Sequence, residues 1–211
     1  MAAIGGGGIG KSYIFERFLT GRVTGNGQYD PTIIDTVTTY RELATGIKSQ
    51  VHGVTLHLTD VSGQTEYEQL RARDCYPLQH LVMICFSVDS YRSLEFAKHQ
   101  CFEEFNFYNR NNIPYVLVGC QSDKRGHHDN EEEVSVDEAR WTALEIGAVA
   151  YFECSAVTGE GVDDLFQKCS EIALNWDWED VKRGHKKLEG EPKWFKGTKK
   201  EGSCATKCLI M

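Results

Sequence analysis

Short, unbroken apolar runs alternate along this chain with longer stretches whose apolar residues recur every three or four positions. Residues 80–86, 115–120 and 149–154 are of the first kind, continuous and rich in β-branched or aromatic side chains, as strands buried on both faces are. Residues 36–43 and 54–60 read as a strand pair joined by a longer loop near 44–53 that contains Gly46 and Gly53. Helices are predicted over 11–19, 66–74, 93–108, 137–146 and 162–175. The fourth opens on Ser135-Val136-Asp137-Glu138, the spacing of a capping box, and stops at Gly147. Strands that alternate with helices imply an α/β fold layered around a mainly parallel sheet. In such sheets a ligand sits at the carboxyl ends of the strands.

Almost at the N-terminus, Gly5-Gly6-Gly7-Gly8-Ile9-Gly10-Lys11-Ser12 fits G-x-x-x-x-G-K-[ST], the loop that wraps nucleotide phosphates. Its glycines let backbone N–H groups approach phosphate oxygens with no Cβ in the way. A helix starting at Lys11 would point its partial positive charge at the same oxygens. Lys11 would reach the β- and γ-phosphates, and the Ser12 hydroxyl would ligate Mg²⁺. The nucleotide-binding set from this loop is Gly5, Gly7, Gly8, Ile9, Gly10, Lys11, Ser12 and Tyr13. A flexible glycine-rich tail that happens to precede a Lys-Ser pair is the other reading, and the remaining strand ends decide between the two. Asp60-Val61-Ser62-Gly63-Gln64 follows the third strand, Gln121-Ser122-Asp123 follows 115–120, and Ser155-Ala156 follows 149–154. Four strand ends carrying polar signals favour the phosphate loop.

Composition narrows the class further. At 211 residues, 41% hydrophobic and 26% charged, the chain fits one soluble globular domain plus an extension. Its formal charge of −8 is uneven, because residues 182–207 hold nine Lys or Arg against three Asp or Glu, leaving −14 on the first 181. An acidic body with a basic tail suggests contact with an anionic surface by one end. It disfavours nucleic-acid binding, for which no basic-aromatic motif is present. There is no secretory leader pattern and no apolar run long enough to cross a bilayer. The eight cysteines sit singly, several inside runs such as Met83-Ile84-Cys85-Phe86, which suits buried free thiols in a reducing compartment rather than disulfides or a zinc site.

Together these stretches resemble the Ras superfamily of small GTPases, and within it the Rho family. Tyr76-Pro77-Leu78, Ile84-Cys85-Phe86-Ser87-Val88, Glu145-Ile146-Gly147-Ala148-Val149 and Glu153-Cys154-Ser155-Ala156 are the most Rho-like. The resemblance runs from the phosphate loop to about Trp176 and takes in the last four residues. It implies a P-loop NTPase G-domain over 1–178, with a mainly parallel six-stranded sheet whose first strand is short. A basic tail over 179–211 follows. It also implies that Thr32, in Tyr29-Asp30-Pro31-Thr32, ligates Mg²⁺ beside a γ-phosphate, that Tyr29 borders the nucleotide, and that Asp60 holds Mg²⁺ through a water. Gly63 N–H would contact the γ-phosphate, and Gln64 would orient the attacking water, with Lys11 as its catalytic companion. Asp123 would accept from the guanine N1–H and 2-amino groups, making GTP rather than ATP the ligand. The Gln121 stem would pack over the base, and Ser155 and Ala156 would complete the pocket through backbone N–H groups. Tyr29, Pro31, Thr32, Ile33, Ile34, Asp35 and Tyr40 would form the effector region.

Cys208-Leu209-Ile210-Met211 is a C-a-a-X sequence whose Met favours farnesyl, and one lipid chain anchors weakly without a second signal. Lysines between 193 and 207, beside Trp194 and Phe195, offer one such signal, and palmitoylation of Cys204 offers another. The expected protein is a monomeric switch that binds GTP or GDP with Mg²⁺, tethered at the cytoplasmic face of a membrane, with the plasma membrane as the first expectation. Its partners would be exchange factors, activating proteins, effectors and a dissociation inhibitor.

Several positions depart from the family pattern. Only Met1–Ile4 precede the phosphate loop, so the first strand costs stability or the sequence starts inside a longer protein. Val23 stands where an aromatic normally stacks on guanine, and Cys120 replaces the Thr or Asn that braces the phosphate loop. Val61-Ser62 and Thr65 replace the usual Thr-Ala and Glu, and an acidic loop over 126–133 stands where Rho proteins carry an extra helix. These departures keep a second class open, a guanine-nucleotide-binding module with little turnover. A P-loop ATPase or kinase is disfavoured by Asp123 and Ser155-Ala156.

Overall fold

The computed structural model describes residues 1–24, 34–45, 50–126, 131–176 and 178, with backbone alone for 43–45, 50–52 and 65. Its first strand, β1 (Ala2–Gly5), is four residues long and buried throughout. The antiparallel pair β2 (Ile34–Thr45) and β3 (Gln50–Val61) follows, then β4 (Val82–Ser87), β5 (Tyr115–Cys120) and β6 (Tyr151–Cys154). They form one sheet in the order β2-β3-β1-β4-β5-β6, parallel everywhere except at β2. Placing β1 between β3 and β4 sends the chain off in opposite directions on its two sides, the topology that opens a crevice at the carboxyl ends. The short β1 is well paired. Ala2 N–H donates to Leu81 O at 3.1 Å, and Thr59 N–H donates to Met1 O at 2.9 Å.

Side-chain alternation along the strands divides the core in two. Ala2, Ile4, Val82, Ile84, Phe86 and Leu117 face one side, beneath Leu94, Ala97, Phe105 and Ala143. Ala3, Met83, Cys85, Val116 and Val118 face the other, beneath Ile14, Phe15, Phe18, Leu165 and Phe166. The second side is closed by α1 (Lys11–Thr20) and α5 (Val162–Asn175), which meet where Phe18 stacks on Phe166 at 4.0 Å. Both helices bury residues at three- and four-residue spacing, so each presents one apolar stripe.

On the first side lie α2, a helical run over 65–78, α3 over 91–108, and α4 (Val136–Ile146). The Ser135 side chain accepts from Glu138 N–H at 3.2 Å, and Gly147 ends α4 at φ 75°, as the capping spacing predicts. The expected helix over 66–74 proves less regular. It consists of short pieces (Thr65–Tyr67, Glu68–Leu70, Arg71–Cys75 and Tyr76–Leu78), the third wound as a π turn. Pro77 lacks the N–H that a continuing helix would need.

The expected long loop at 44–53 is also corrected. β2 runs to Thr45 and β3 starts at Gln50, with Glu42 paired to Gly53. Gly53 lies inside β3, with the Tyr40 side chain laid across the space a Cβ would occupy. Strand β6 begins at Tyr151 rather than 149, although Val149 N–H still reaches Tyr115 O at 2.9 Å. The described cysteines, Cys75, Cys85, Cys101, Cys120, Cys154 and Cys169, are all buried and free. Among the described residues no helix is long and apolar enough to cross a membrane.

Candidate functional site

The phosphate loop connects β1 to α1 and sits at the carboxyl edge of the sheet. Gly10, at φ 102°, turns the chain into the helix, a conformation that an L side chain rarely takes. The first bond of α1 is Ile14 N–H to Gly10 O at 3.0 Å. The N–H groups of Lys11, Ser12 and Tyr13 therefore lie in the first turn, at the end of α1 that faces the loop. The Lys11 ammonium folds back across the loop and donates to Gly5 O at 2.9 Å and Gly6 O at 2.7 Å. Ile9 and Lys11 are buried, whereas Gly7 and Gly8 stand open on the rim. Tyr13 is half-buried against the second core.

Asp60, from the end of β3, reaches this loop. Its Oδ2 accepts from the Ser12 hydroxyl, while Oδ1 is buried and has no hydrogen-bond partner. A buried carboxylate oxygen left unpaired is costly unless something else uses it. With the Ser12 hydroxyl it makes an all-oxygen donor set of the kind hard cations take. No cluster of three His, Cys, Asp or Glu exists among the described residues; hard cations commonly complete such a set with hydroxyl, water or phosphate oxygens. Gly63 lies directly on the phosphate loop, where a Cβ would strike Gly5 O. Gln64 is exposed beside it, and its N–H donates to the Ser62 hydroxyl at 3.3 Å.

At the far end, Gln121 takes the left-handed conformation at φ 62°. Its Nε2 donates to Gly8 O at 3.3 Å, and its Oε1 accepts from the Ser87 hydroxyl at 2.8 Å. Cys120 does not reach the loop; its thiol donates weakly to Val118 O at 3.9 Å inside the core. Gln121 therefore braces the phosphate loop. Asp123 is exposed, with its Oδ1 held by the buried Ser155 hydroxyl. Ser155 departs from the backbone-donor role expected of it, because its N–H is already taken by Glu160 O at 2.9 Å. The following turn closes as Gly159 N–H donates to Ser155 O at 2.8 Å, and Ala156 is buried next to it.

A sequence model of the Ras family matches residues 1–175. The chain is similar to GTP-binding protein RHO2 of Saccharomyces cerevisiae, with 36% identity across 82% of this chain and 88% of that one. To GTP-binding protein rho2 of Schizosaccharomyces pombe it is 32% identical, across 82% and 86% respectively. To GTP-binding protein RHO1 of Saccharomyces cerevisiae it is 29% identical, across 97% and 93%. The chain belongs to the Ras family and is a Rho-like small GTPase.

In this Rho-like GTPase, Ile34 is half-buried in β2 and Asp35 and Tyr40 are exposed on the same edge strand. Tyr29, Asp30, Pro31, Thr32 and Ile33 lie outside the described residues, as do residues 127–130 of the acidic loop and the tail with Cys204 and Cys208. Val23 packs partly against the second core. Three supporting residues escaped the sequence reading. Ser62 accepts from Gln64 as above. Arg125 grips Glu153 through Nε at 2.7 Å and Nη2 at 2.6 Å, and donates to Val134 O at 2.7 Å, tying the Asp123 loop to β6. Arg71 is the third. The two arginines act on backbone carbonyls and on carboxylates distant in sequence, so no local spacing announces them, whereas the Ser62 contact is local.

Proposed function

We propose that this GTPase is a two-state switch in which the residues gathered on the phosphate loop read the state of the bound nucleotide. Carrying the reading is the orphaned Oδ1 of Asp60 beside the Ser12 hydroxyl, at the mouth of the loop that Lys11 spans. Ser12 and Asp60, with Thr32, would hold Mg²⁺, which when bound neutralises charge on the phosphates. Gly7, Gly8, Ile9 and Gly10 offer backbone to the phosphates, Asp123 and Ala156 select guanine, and Ser155 orients Asp123. Gln64 positions the attacking water. Chemistry of this kind needs alignment and charge neutralisation rather than a covalent intermediate.

With GTP bound, Thr32 and Gly63 contact the γ-phosphate and order the two segments that contain them, and hydrolysis releases both. Exchange factors, activating proteins and effectors would act on those segments and on Ile34, Asp35 and Tyr40. The tail over 179–211 would carry a prenyl group on Cys208, a palmitoyl group on Cys204 and a basic segment toward anionic lipid, holding a monomer at the cytoplasmic face of a membrane. Replacing Cys208 with Ser should move the protein from the membrane to the soluble fraction of expressing cells.

The decisive test is single-turnover hydrolysis of bound GTP with Mg²⁺, beside Gln64→Leu. Slow phosphate release that Gln64→Leu abolishes supports the switch. GTP held tightly with no phosphate released would make the chain a binding module instead.

A further inference from the structure

Arg71 is buried to 3% side-chain exposure, and Glu104 on α3 to 7%. The two meet as a fork on a carboxylate: Arg71 Nε donates to Glu104 Oε1 at 2.7 Å and Nη2 donates to Oε2. Tyr76 Oη donates to the same Oε1 at 2.5 Å. Burial, followed by the Glu104 carboxylate, holds the Tyr76 phenol well above its ordinary pKa, so it stays a donor. The remaining arm of the guanidinium points elsewhere. Its Nη1 donates to Ser62 O at 2.6 Å and to Gln64 O at 2.8 Å, the two carbonyls that flank Gly63.

That arrangement constrains a peptide plane. In a trans peptide the carbonyl and the next N–H point in opposite directions, so a donor on Ser62 O turns Gly63 N–H away from itself. The phosphate loop lies against Gly63, where a Cβ would strike Gly5 O and crowd Gly6 Cα. Holding Gln64 O fixes the 64–65 peptide, while Gln64 N–H on the Ser62 hydroxyl holds the 63–64 peptide, and these are the two planes that meet at the Gln64 Cα and set where its side chain leaves the backbone.

We propose that Arg71 is a positioning residue for hydrolysis, anchored on α3 by Glu104 and acting through the Gly63 N–H and Gln64. The proposal rests on the reading that Gln64 orients the attacking water. A buried ion pair by itself is weak support for a stabilising role, since an apolar pair of similar volume often serves as well. An apolar pair cannot donate to two carbonyls. Lysine, with one compact ammonium in place of the fork, cannot hold Glu104 on two oxygens and reach both carbonyls.

The test uses the full chain and measures three quantities: single-turnover phosphate release, dissociation of a fluorescent GDP analogue, and thermal stability. Arg71→Lys should slow hydrolysis by at least about tenfold while GDP dissociation stays within about twofold, because misplacement of reacting groups costs rate rather than binding. Arg71→Met combined with Glu104→Gln removes both buried charges and leaves Tyr76 an acceptor. It should keep the wild-type melting temperature and remain slow. A stable double variant that hydrolyses at the wild-type rate would overturn the proposal, as would hydrolysis and GDP release changing in parallel. If the double variant does not fold, the same two rates in Arg71→Lys decide. Gln64→Leu separates the two levels: wild-type hydrolysis there removes the Gln64 reading itself, whereas slow Gln64→Leu beside normal Arg71→Lys removes only this inference.

Discussion

The Gln121 amide spans from the end of β5 to the phosphate loop, donating to Gly8 O at 3.3 Å. It takes over a task that Cys120 cannot perform, since that thiol lies in the core. The bond couples the base-reading strand to the loop that holds the phosphates, so losing it should loosen both ends of the nucleotide. A neutral hydrogen bond contributes about 1 kcal/mol net, equivalent to roughly fivefold in a rate or an equilibrium. Gln121→Ala should therefore release GDP about fivefold faster in a chase with excess unlabelled nucleotide. An unchanged rate would remove Gln121 from the bracing role.

Asp123 depends on Ser155 in a comparable way. The carboxylate is exposed, yet its Oδ1 is held by a hydroxyl with no exposure at all. Hydrogen bonds to charged groups contribute about 1.5–3 kcal/mol. Ser155→Ala should weaken GDP binding by about tenfold or more in calorimetry, with the fold intact by circular dichroism. Equal affinity in the variant would mean that Asp123 needs no support from β6.

Much of this molecule was legible because its signals are local. The stripe of Val162, Leu165, Phe166 and Cys169 announces α5 at its observed bounds, and the run from Tyr115 to Cys120 announces β5. The glycine loop, Asp60 and Asp123 stand at strand ends, where an α/β sheet puts chemistry. What was missed depends on partners that no spacing pattern marks. Gly53 looked like a turn residue, but it lies flat under Tyr40 from the neighbouring strand. The run over 65–78 winds irregularly where Arg71 reaches back to the carbonyls of Ser62 and Gln64. Ser155 stands where a backbone donor is expected, but Glu160 O takes its N–H.

The start of α4 allows a test independent of nucleotide. Ser135 caps the helix by accepting from Glu138 N–H at 3.2 Å, and Asp137 and Glu138 add negative charge to the first turn. Replacing a serine cap with alanine costs about 1 kcal/mol. In a domain of this size that lowers the melting temperature by roughly 2–4 °C. Ser135→Ala should show that shift by calorimetry on the GDP-bound protein, while Ser135→Asp, which restores an acceptor, should not. Equal melting of all three would mean that the cap contributes nothing.

Stability at alkaline pH follows from the buried thiols. Burial pushes Cys75 up from 9.0 to about 11 and Cys101 up from 9.0 to about 12. A thiol in the unfolded chain therefore ionises before its buried counterpart, and the folded state binds more protons above pH 9. Stability is thus complete below that value. It falls as pH rises toward the folded pKa, by roughly 1.4 kcal/mol per pH unit for each such group. Thermal melts from pH 8 to 10.5 at constant salt with a phosphine reductant should slope downward, and Cys75→Ala should make the slope shallower, whatever offset its cavity adds. The comparison of slopes isolates the thiol from lysines and exposed tyrosines that titrate in both proteins. Parallel slopes would show that Cys75 ionises as readily folded as unfolded, and so that its place in the first core is open to water.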